Sequence, residues 1–471
     1  MTTTPEAVSL TPENVPLMRD IVDQLFPSAI AELGRLVRIP GIAWDAFDAN
    51  NLELSAAAVA KLLTDLQVFE LVEVRRAEIE TGKLGAPAVI ATRAARNGRP
   101  TVLLYAHHDV QPPGDDEQWQ TPPFQPTLVE GRLFGRGAAD DKAGIVAHLT
   151  AIKSLAIALQ GDIDLGISIF IEGEEEAGSP SFRKFLEENR ADLAADLIVV
   201  ADSANWTTEI PALTTSLRGL VSQVVEIQTL DHAVHSGMFG GAIPDAMTAM
   251  IKLLGTLHDA NGNVAVEGLV TAAPSALEYT DEALRADSGL LPEVSQLGTG
   301  FVADRIWNKP AITVIGIDAQ TVALSSNTML PSVRAKISMR IAPGDSPDSA
   351  LAALQAHLRA NTPFGARLTL GETELGKPFA ADGETWSQRL ASQALTAAWN
   401  RESVNIGIGG SIPFIADLTE VFPKAQILVT GVEDPDSRAH SPNESLHVDT
   451  LRRAILAEAL VLLEANQILN A

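Results

Sequence analysis

The sequence predicts an α/β protein: a mostly parallel sheet covered by helices forms a discontinuous domain, and an α+β domain is inserted into it. Three observations carry this. Between Thr101 and Asp202, short apolar β-rich runs alternate with helical stretches, the pattern of a sheet buried on both faces. Near Leu213 the order becomes strand, helix, strand, strand, helix, strand, which describes a small α+β body with helices on one face. From Pro378 the first pattern resumes, so both ends of the chain build one domain. At 471 residues, 46% of them hydrophobic, the chain is long enough to bury two cores.

The elements follow in order. Apolar residues at helical spacing predict a helix over Pro16 to Ile39 and another over Asp449 to Leu469. Between them come the strand TVLLYA (101–106), a helix from Asp141 to Leu159, the strand LGISIFI (165–171), a helix from Ser181 through Asn189 and the β-rich run LIVVAD (197–202). The inserted part reads as strand Leu217 to Gln228, helix Asp245 to Leu257, strands Ala311 to Ile317 and Ser332 to Ile341, helix Asp348 to Arg359 and strand Arg367 to Leu370. Residues 259–304 are too long for a hairpin connection and must carry structure of their own or serve a purpose. Trp386 to Trp399 is a further helix. The domains are therefore 1–212 with 379–471, and 213–378.

Composition narrows the function. With 34 basic and 60 acidic side chains the net charge is −26, which argues against nucleic-acid and membrane-surface partners. There is no cysteine, so a disulfide framework, a thiolate metal site and a cysteine nucleophile are all excluded. Any metal must be held by His, Asp or Glu. The opening MTTTPEAVSLTPENV has neither basic flank nor apolar core, and no apolar run approaches a membrane span, so a soluble, cytoplasmic protein is expected.

Four polar clusters follow buried strands or begin a helix. His107-His108-Asp109 ends the first central strand; the His-x-Asp spacing puts His107 and Asp109 on one side of the extended chain, where the carboxylate can take one imidazole nitrogen and leave the other for a metal. Gly135-Arg136-Gly137-Ala138-Ala139-Asp140-Asp141-Lys142 frames two carboxylates with glycines at a helix start, where acids ordinarily serve as caps. Glu172-Gly173-Glu174-Glu175-Glu176-Ala177-Gly178-Ser179 is delivered to the sheet's carboxyl edge, the place where open α/β sheets bind ligands. The fourth cluster is Asp202, the first polar residue after the third apolar run. With His440, these are nitrogen and oxygen donors suited to zinc, manganese or cobalt, and a carboxylate can bridge two such ions.

The G-R-G-x-x-D-D-K and E-G-x-E-E-x-G-S segments, in this order after H-x-D, resemble those of the co-catalytic di-metal metallopeptidases that include carnosine-type dipeptidases, aminoacylase, succinyl-diaminopimelate desuccinylase and glutamate carboxypeptidase. The resemblance covers nearly the whole chain and implies a catalytic metal-binding domain with an inserted lid and dimerisation domain. It implies that Asp140 bridges two divalent ions, zinc first and manganese or cobalt as alternatives, with Asp141 following through a cis peptide. His107 and Asp202 would complete one site, Glu176 and His440 the other. Glu175 takes the place of the general base and Asp109 that of His107's partner. Aspartate at position 202 favours the dipeptidase branch.

Further segments match. His235 in His235-Ser236-Gly237-Met238-Phe239-Gly240-Gly241 resembles the histidine that reaches a partner subunit's active site to hold the oxyanion, which implies a homodimer; His232 is read as structural. Arg305 to Pro310 resembles the dipeptidases' segment after their long insertion. Thr328, Arg340 and Ser411 match residues that contact substrate, with Arg340 and Ser411 as anchors for a free carboxylate. The expected reaction is hydrolysis of dipeptides or small peptide-like substrates by an activated water. Two rivals stand beside it, an amidase of N-acyl or N-carbamoyl amino acids and a metal-free scaffold of the same fold. Two departures are visible. Glu174 replaces an apolar residue and, if close and ionised, would raise the pKa of Glu175. Gly407-Ile408 lacks the arginine and acidic residue common before the glycine loop. His148, His258 and His357 fall in predicted helices and are read as structural.

Overall fold

The computed structural model describes residues 8–80, 82–381, 383, 385–410 and 413–469. Backbone contacts divide the chain into two units. The first takes Met1–Thr215, Ala381–Ile406 and Asp417–Ala471; the second takes Ser216–Ala380 and Gly407–Ala416. Residues 407–416, left with the first domain by the sequence reading, cluster with the second unit.

In the first unit four parallel strands form the centre of the sheet, Gly166–Glu172, Thr101–His107, Leu197–Val200 and Gln426–Val429 in that spatial order. Antiparallel strands flank them: Ala88–Arg93 and Leu71–Arg75 on one side, Ala212–Leu217 on the other. Because both faces are covered, Gly166–Glu172 and Leu197–Val200 are buried at every residue. The register places His107 beside Glu172, and Val200 beside both Tyr105 and Val429. Four strand ends therefore deliver the residues that follow them to one edge.

The covering layer contains helices Asn14–Val37, Lys142–Ala158, Val448–Ala465 and Trp386–Trp399. Lys142–Ala158 packs on both terminal helices and is buried through nearly all of its length. Leu33, Ile152, Leu155, Leu460 and Leu462 are fully buried in this core, each contributing about 1.5–3 kcal/mol. Asp141 caps the helix, its Oδ1 accepting the Gly144 N–H at 3.1 Å. A Cβ on Gly144 would stand 2.2 Å from Asp141 Oδ1 and 2.9 Å from the Ala201 carbonyl, so only glycine lets this helix start against the strand end. Deeper along the helix, His148 Nδ1 lies 2.8 Å from Glu458 Oε1 and Nε2 3.0 Å from the Tyr105 carbonyl.

The second unit is a four-stranded antiparallel sheet, Ala311–Asp318, Ser332–Ile341, Gly219–Gln228 and Arg367–Gly376 in spatial order. Helices Ala246–Leu254 and Pro347–Ala360 supply its core partners, with Val221, Val225, Met250, Ile337, Met339 and Leu354 buried among them. Burial alternates along Ser332–Ile341, as one covered face requires. The long segment carries structure of its own, a helix Asp281–Ser288 capped by Thr280 and a π-helical turn Asp304–Asn308. His258 does not lie in a helix; the helix ends at Leu254, and His258 forms an isolated bridge with Val264. His357 is helical, with Nε2 3.0 Å from Thr256 Oγ1. Among the described residues, no helix is long and apolar enough to cross a membrane.

Candidate metal centre

The edge formed by the parallel strands gathers the first unit's acidic and histidine residues. His107 ends its strand fully buried, with Nε2 3.0 Å from Asp140 Oδ1. Its Nδ1 lies 3.1 Å from the Asp109 carbonyl and 3.4 Å from Asp109 Oδ1. The Asp109 carboxylate also accepts the N–H groups of Glu175 (3.1 Å, Oδ1) and Glu176 (3.0 Å, Oδ2). One carboxylate thus sets both the His107 ring and the turn that presents Glu175 and Glu176.

Asp140 occupies the middle. His440 Nε2 lies 2.9 Å from Asp140 Oδ2 and 3.2 Å from Glu176 Oε2. His107, Asp140 and Asp202 offer three ligand atoms within 4.8 Å of one another, and so do Asp140, Glu176 and His440. Asp140 is common to both groups. The Asp140–Asp141 peptide is cis. Gln111 Nε2 donates to Glu176 Oε2 at 2.7 Å, orienting that carboxylate.

The electrostatics test whether cations fit. Burial pushes Asp202 up to about 7, with Asp140 and Glu176 acting in the same direction against the pull of His107. Burial also raises Glu175 well above the usual carboxylate range, helped by Asp202, Glu172 and Glu176. Glu433, which no motif singled out, is raised by burial and by Asp140, Asp202 and Glu444. Burial would raise Asp140, but hydrogen bonds to His107 and His440 hold it well below its ordinary value. His440 is pushed up to about 11 by Asp140 and Glu176. These shifts report an excess of negative charge at one sheet edge. Divalent cations held by imidazole nitrogen and carboxylate oxygen would balance it.

The Glu174 carboxylate is engaged by neighbouring segments. Its Oε2 accepts the Ala86 N–H at 2.7 Å, and its Oε1 accepts the Ser181 N–H at 2.8 Å and the Ser181 hydroxyl. The carboxylates acting most strongly on Glu175 are Asp202, Glu172 and Glu176. Glu174 ties the turn to two neighbouring segments instead.

The remaining site candidates lie in the second unit, apart from Ser411, which falls outside the described residues. His235 and Thr328 are cross-strand partners in a two-stranded ladder. His235 is exposed, and its Nδ1 accepts the Gly237 N–H at 3.0 Å. His232 pairs with Asp231 beside it. Arg340 stands opposite Leu220 and Ala311. Arg218, missed in the sequence, is buried and donates from Nε to the Gly409 carbonyl at 3.0 Å; burial and the nearby charge of Arg340 lower it to about 10. A Cβ on Gly409 would meet Arg218 Nη2 at 2.8 Å, so the glycine loop is fitted to that guanidinium.

An α/β unit whose sheet edge holds two donor triads joined by one aspartate defines a candidate two-cation centre. The comparisons then give the family. The description of peptidase family M20/M25/M40 matches residues 103–464, and the chain belongs to that family. It is 33% identical over 383 residues to a cysteinylglycine-S-conjugate dipeptidase of Corynebacterium striatum, covering 80% of this chain and 84% of that one. It is 27% identical over 383 residues to a beta-Ala-His dipeptidase of Homo sapiens, covering 77% and 74%. The fold is similar to that of the di-peptidase Dug1p from Saccharomyces cerevisiae, with a TM-score of 0.76 at 21% identity, covering 97% and 99% of the two chains.

Proposed function

We propose that this chain is a metal-dependent dipeptidase acting on dipeptides with a free carboxylate. The observation that carries the reading is the pair of donor triads sharing Asp140, with Glu175 held next to Glu176 by Asp109. His107, Asp140 and Asp202 would hold one ion; Asp140, Glu176 and His440 would hold a second. Two bound divalent ions, zinc first and manganese or cobalt as alternatives, supply Lewis acidity that lowers the pKa of water and polarises the scissile carbonyl.

The chain's own residues do the rest. Glu175 takes the proton of the attacking water on its carboxylate and returns it to the leaving amine nitrogen. Its buried, carboxylate-rich surroundings raise its pKa, which favours its holding the proton between the two transfers. Asp109 keeps the His107 ring and the Glu175 turn in register. Arg340 and Ser411 would anchor the substrate's carboxylate and Thr328 would contact the substrate, with Arg218 seating the glycine loop. His235 would meet the carbonyl oxygen of a substrate in a partner subunit, where negative charge develops.

A homodimer is part of this reading. His235 is exposed, and the edge strand Ala311–Asp318 exposes Val314, Ile315 and Ile317, the kind of surface that pairs with a second copy. The proposed setting is cytoplasmic, to be checked by cell fractionation.

The deciding experiment profiles hydrolysis of dipeptides against N-acyl and N-carbamoyl amino acids, with zinc, manganese and cobalt added separately. Dipeptides should be cleaved, and Glu175→Gln should lower turnover about 10²–10⁴-fold while metal content is kept. Cleavage of the acylated amino acids alone would move the chain to the amidase reading.

A further inference from the structure

We infer that Glu444 is a positioning residue for the metal centre: its buried carboxylate presets Asp140 and, through Arg136, the loop that carries His440. This rests on the metal-dependent reading above.

Glu444 is fully buried, and its four hydrogen bonds all go to one loop. Oε1 accepts the N–H groups of Ala139 (2.9 Å) and Asp140 (3.1 Å). Oε2 accepts the Gly137 N–H (3.0 Å) and Nη1 of Arg136 (2.7 Å). The Glu444 carbonyl also accepts the Gly135 N–H at 3.0 Å. Glycine at 137, with φ of +79°, turns its amide toward the carboxylate without a Cβ in the way. The segment that ends in the shared aspartate is therefore wrapped around a side chain some 300 positions away.

Arg136 extends the clamp. It is 1% exposed, lies over the Trp119 ring at 5.4 Å, and Nη2 reaches the carbonyl of Ser441 at 3.3 Å, next to His440. The His440 loop needs such support. Arg438, His440 and Asn443 all have positive φ, at 55°, 62° and 66°, a conformation that costs of order 1 kcal/mol or more for each non-glycine residue. His440 is also the most exposed donor of its triad. Glu444 and Arg136 thus hold the two loops that supply Asp140 and His440, so the triads stand ready before an ion arrives.

A carboxylate is required, because every group it meets is a donor. In Glu444→Gln the side-chain amide would set an NH₂ against either the Gly137 and Arg136 donors or the Ala139 and Asp140 donors. A purely structural role would lower stability and leave metal affinity in the folded protein unchanged. A positioning role lowers the affinity itself.

The test is a calorimetric titration of Mn²⁺ into the metal-stripped full chain, comparing wild type with E444Q and E444D. Circular dichroism and melting of the metal-free forms report whether each is folded. The expected result is folded variants whose Mn²⁺ affinity falls about 10–100-fold with the number of sites unchanged, E444D less affected because it keeps the charge opposite Arg136. Wild-type affinity in the folded variants overturns the inference alone. Two variants that do not fold without metal also overturn it, because Glu444 is then a folding determinant. A wild-type chain that binds neither Mn²⁺ nor, in parallel titrations, Zn²⁺ or Co²⁺ overturns the proposed function and this inference together.

Discussion

The short 3₁₀ turn over Glu175–Ala177 sends three consecutive carboxylates in different directions. Glu174, just before it, has φ of −148° and turns back to Ala86 and Ser181, while Glu176 meets His440. Gly85 makes this possible, since a Cβ there would stand 2.3 Å from Ser181 Oγ and 2.9 Å from Glu174 Oε1. Glu174→Met should therefore cost about 2–4 kcal/mol of stability, two N–H groups being left without acceptors, and leave the acid limb of the pH–rate profile in place. A limb displaced toward lower pH would return Glu174 to the role its sequence position suggested. Adjacency in sequence says nothing about side-chain direction at a turn, so the sequence left the role of Glu174 conditional on its being close to Glu175. His107 and Asp202 were legible because each is the polar residue that ends or follows an apolar run, and Asp140 and Glu176 because each sits in a glycine-framed acidic segment. Glu433 was not, because Gly431-Val432-Glu433-Asp434-Pro435 reads as an ordinary turn.

At the level of elements, the helix Lys142–Ala158 links the site to the core. Its first turn is anchored by Asp141, and its middle carries the buried pair of His148 and Glu458. Burial lowers the His148 pKa, but the charge and hydrogen bond of Glu458 outweigh it and the net shift is upward. Both ring nitrogens face oxygen acceptors, as the protonated form requires. The sign follows from linkage: with the folded pKa above the ordinary value of about 6.5, the pair's contribution is complete below that pH and is lost as pH rises through the folded value. The melting-temperature gap between wild type and His148→Gln should therefore narrow from pH 6 to pH 9. A gap that widens would mean that the buried ring is neutral. The sequence placed this histidine on a helix and read it as structural, which the Glu458 contact supports. Its partner lies 310 positions away, beyond the reach of any local pattern.

For the whole molecule, the alternation of apolar runs with helices was enough to read the layered α/β unit and the inserted antiparallel one. The flanking strands Leu71–Arg75 and Ala88–Arg93 and the helix Asn50–Asp65 went unread, because they lie outside the repeating strand-helix pattern. The segment 407–416 clusters by backbone contacts with the second unit, a grouping that sequence order does not display. The proposed use of His235 in a partner's site makes a prediction at this scale. Glu175→Gln and His235→Ala should each be nearly inactive alone. Mixed after subunit exchange, half the dimers are hybrids with one intact site of two, so about a quarter of wild-type activity should return. No recovery, with exchange verified by mass, would place His235 outside the partner's chemistry.

The strand Gln426–Val429 sits between Leu197–Val200 and Ala212–Leu217, although more than two hundred residues separate it from the first of these in sequence. A chain still emerging from the ribosome has made His107, Asp140, Glu176 and Asp202 long before it can fill that gap or supply His440. Under the proposed ligand set, a nascent chain holds only one of the two donor triads until His440 has been made.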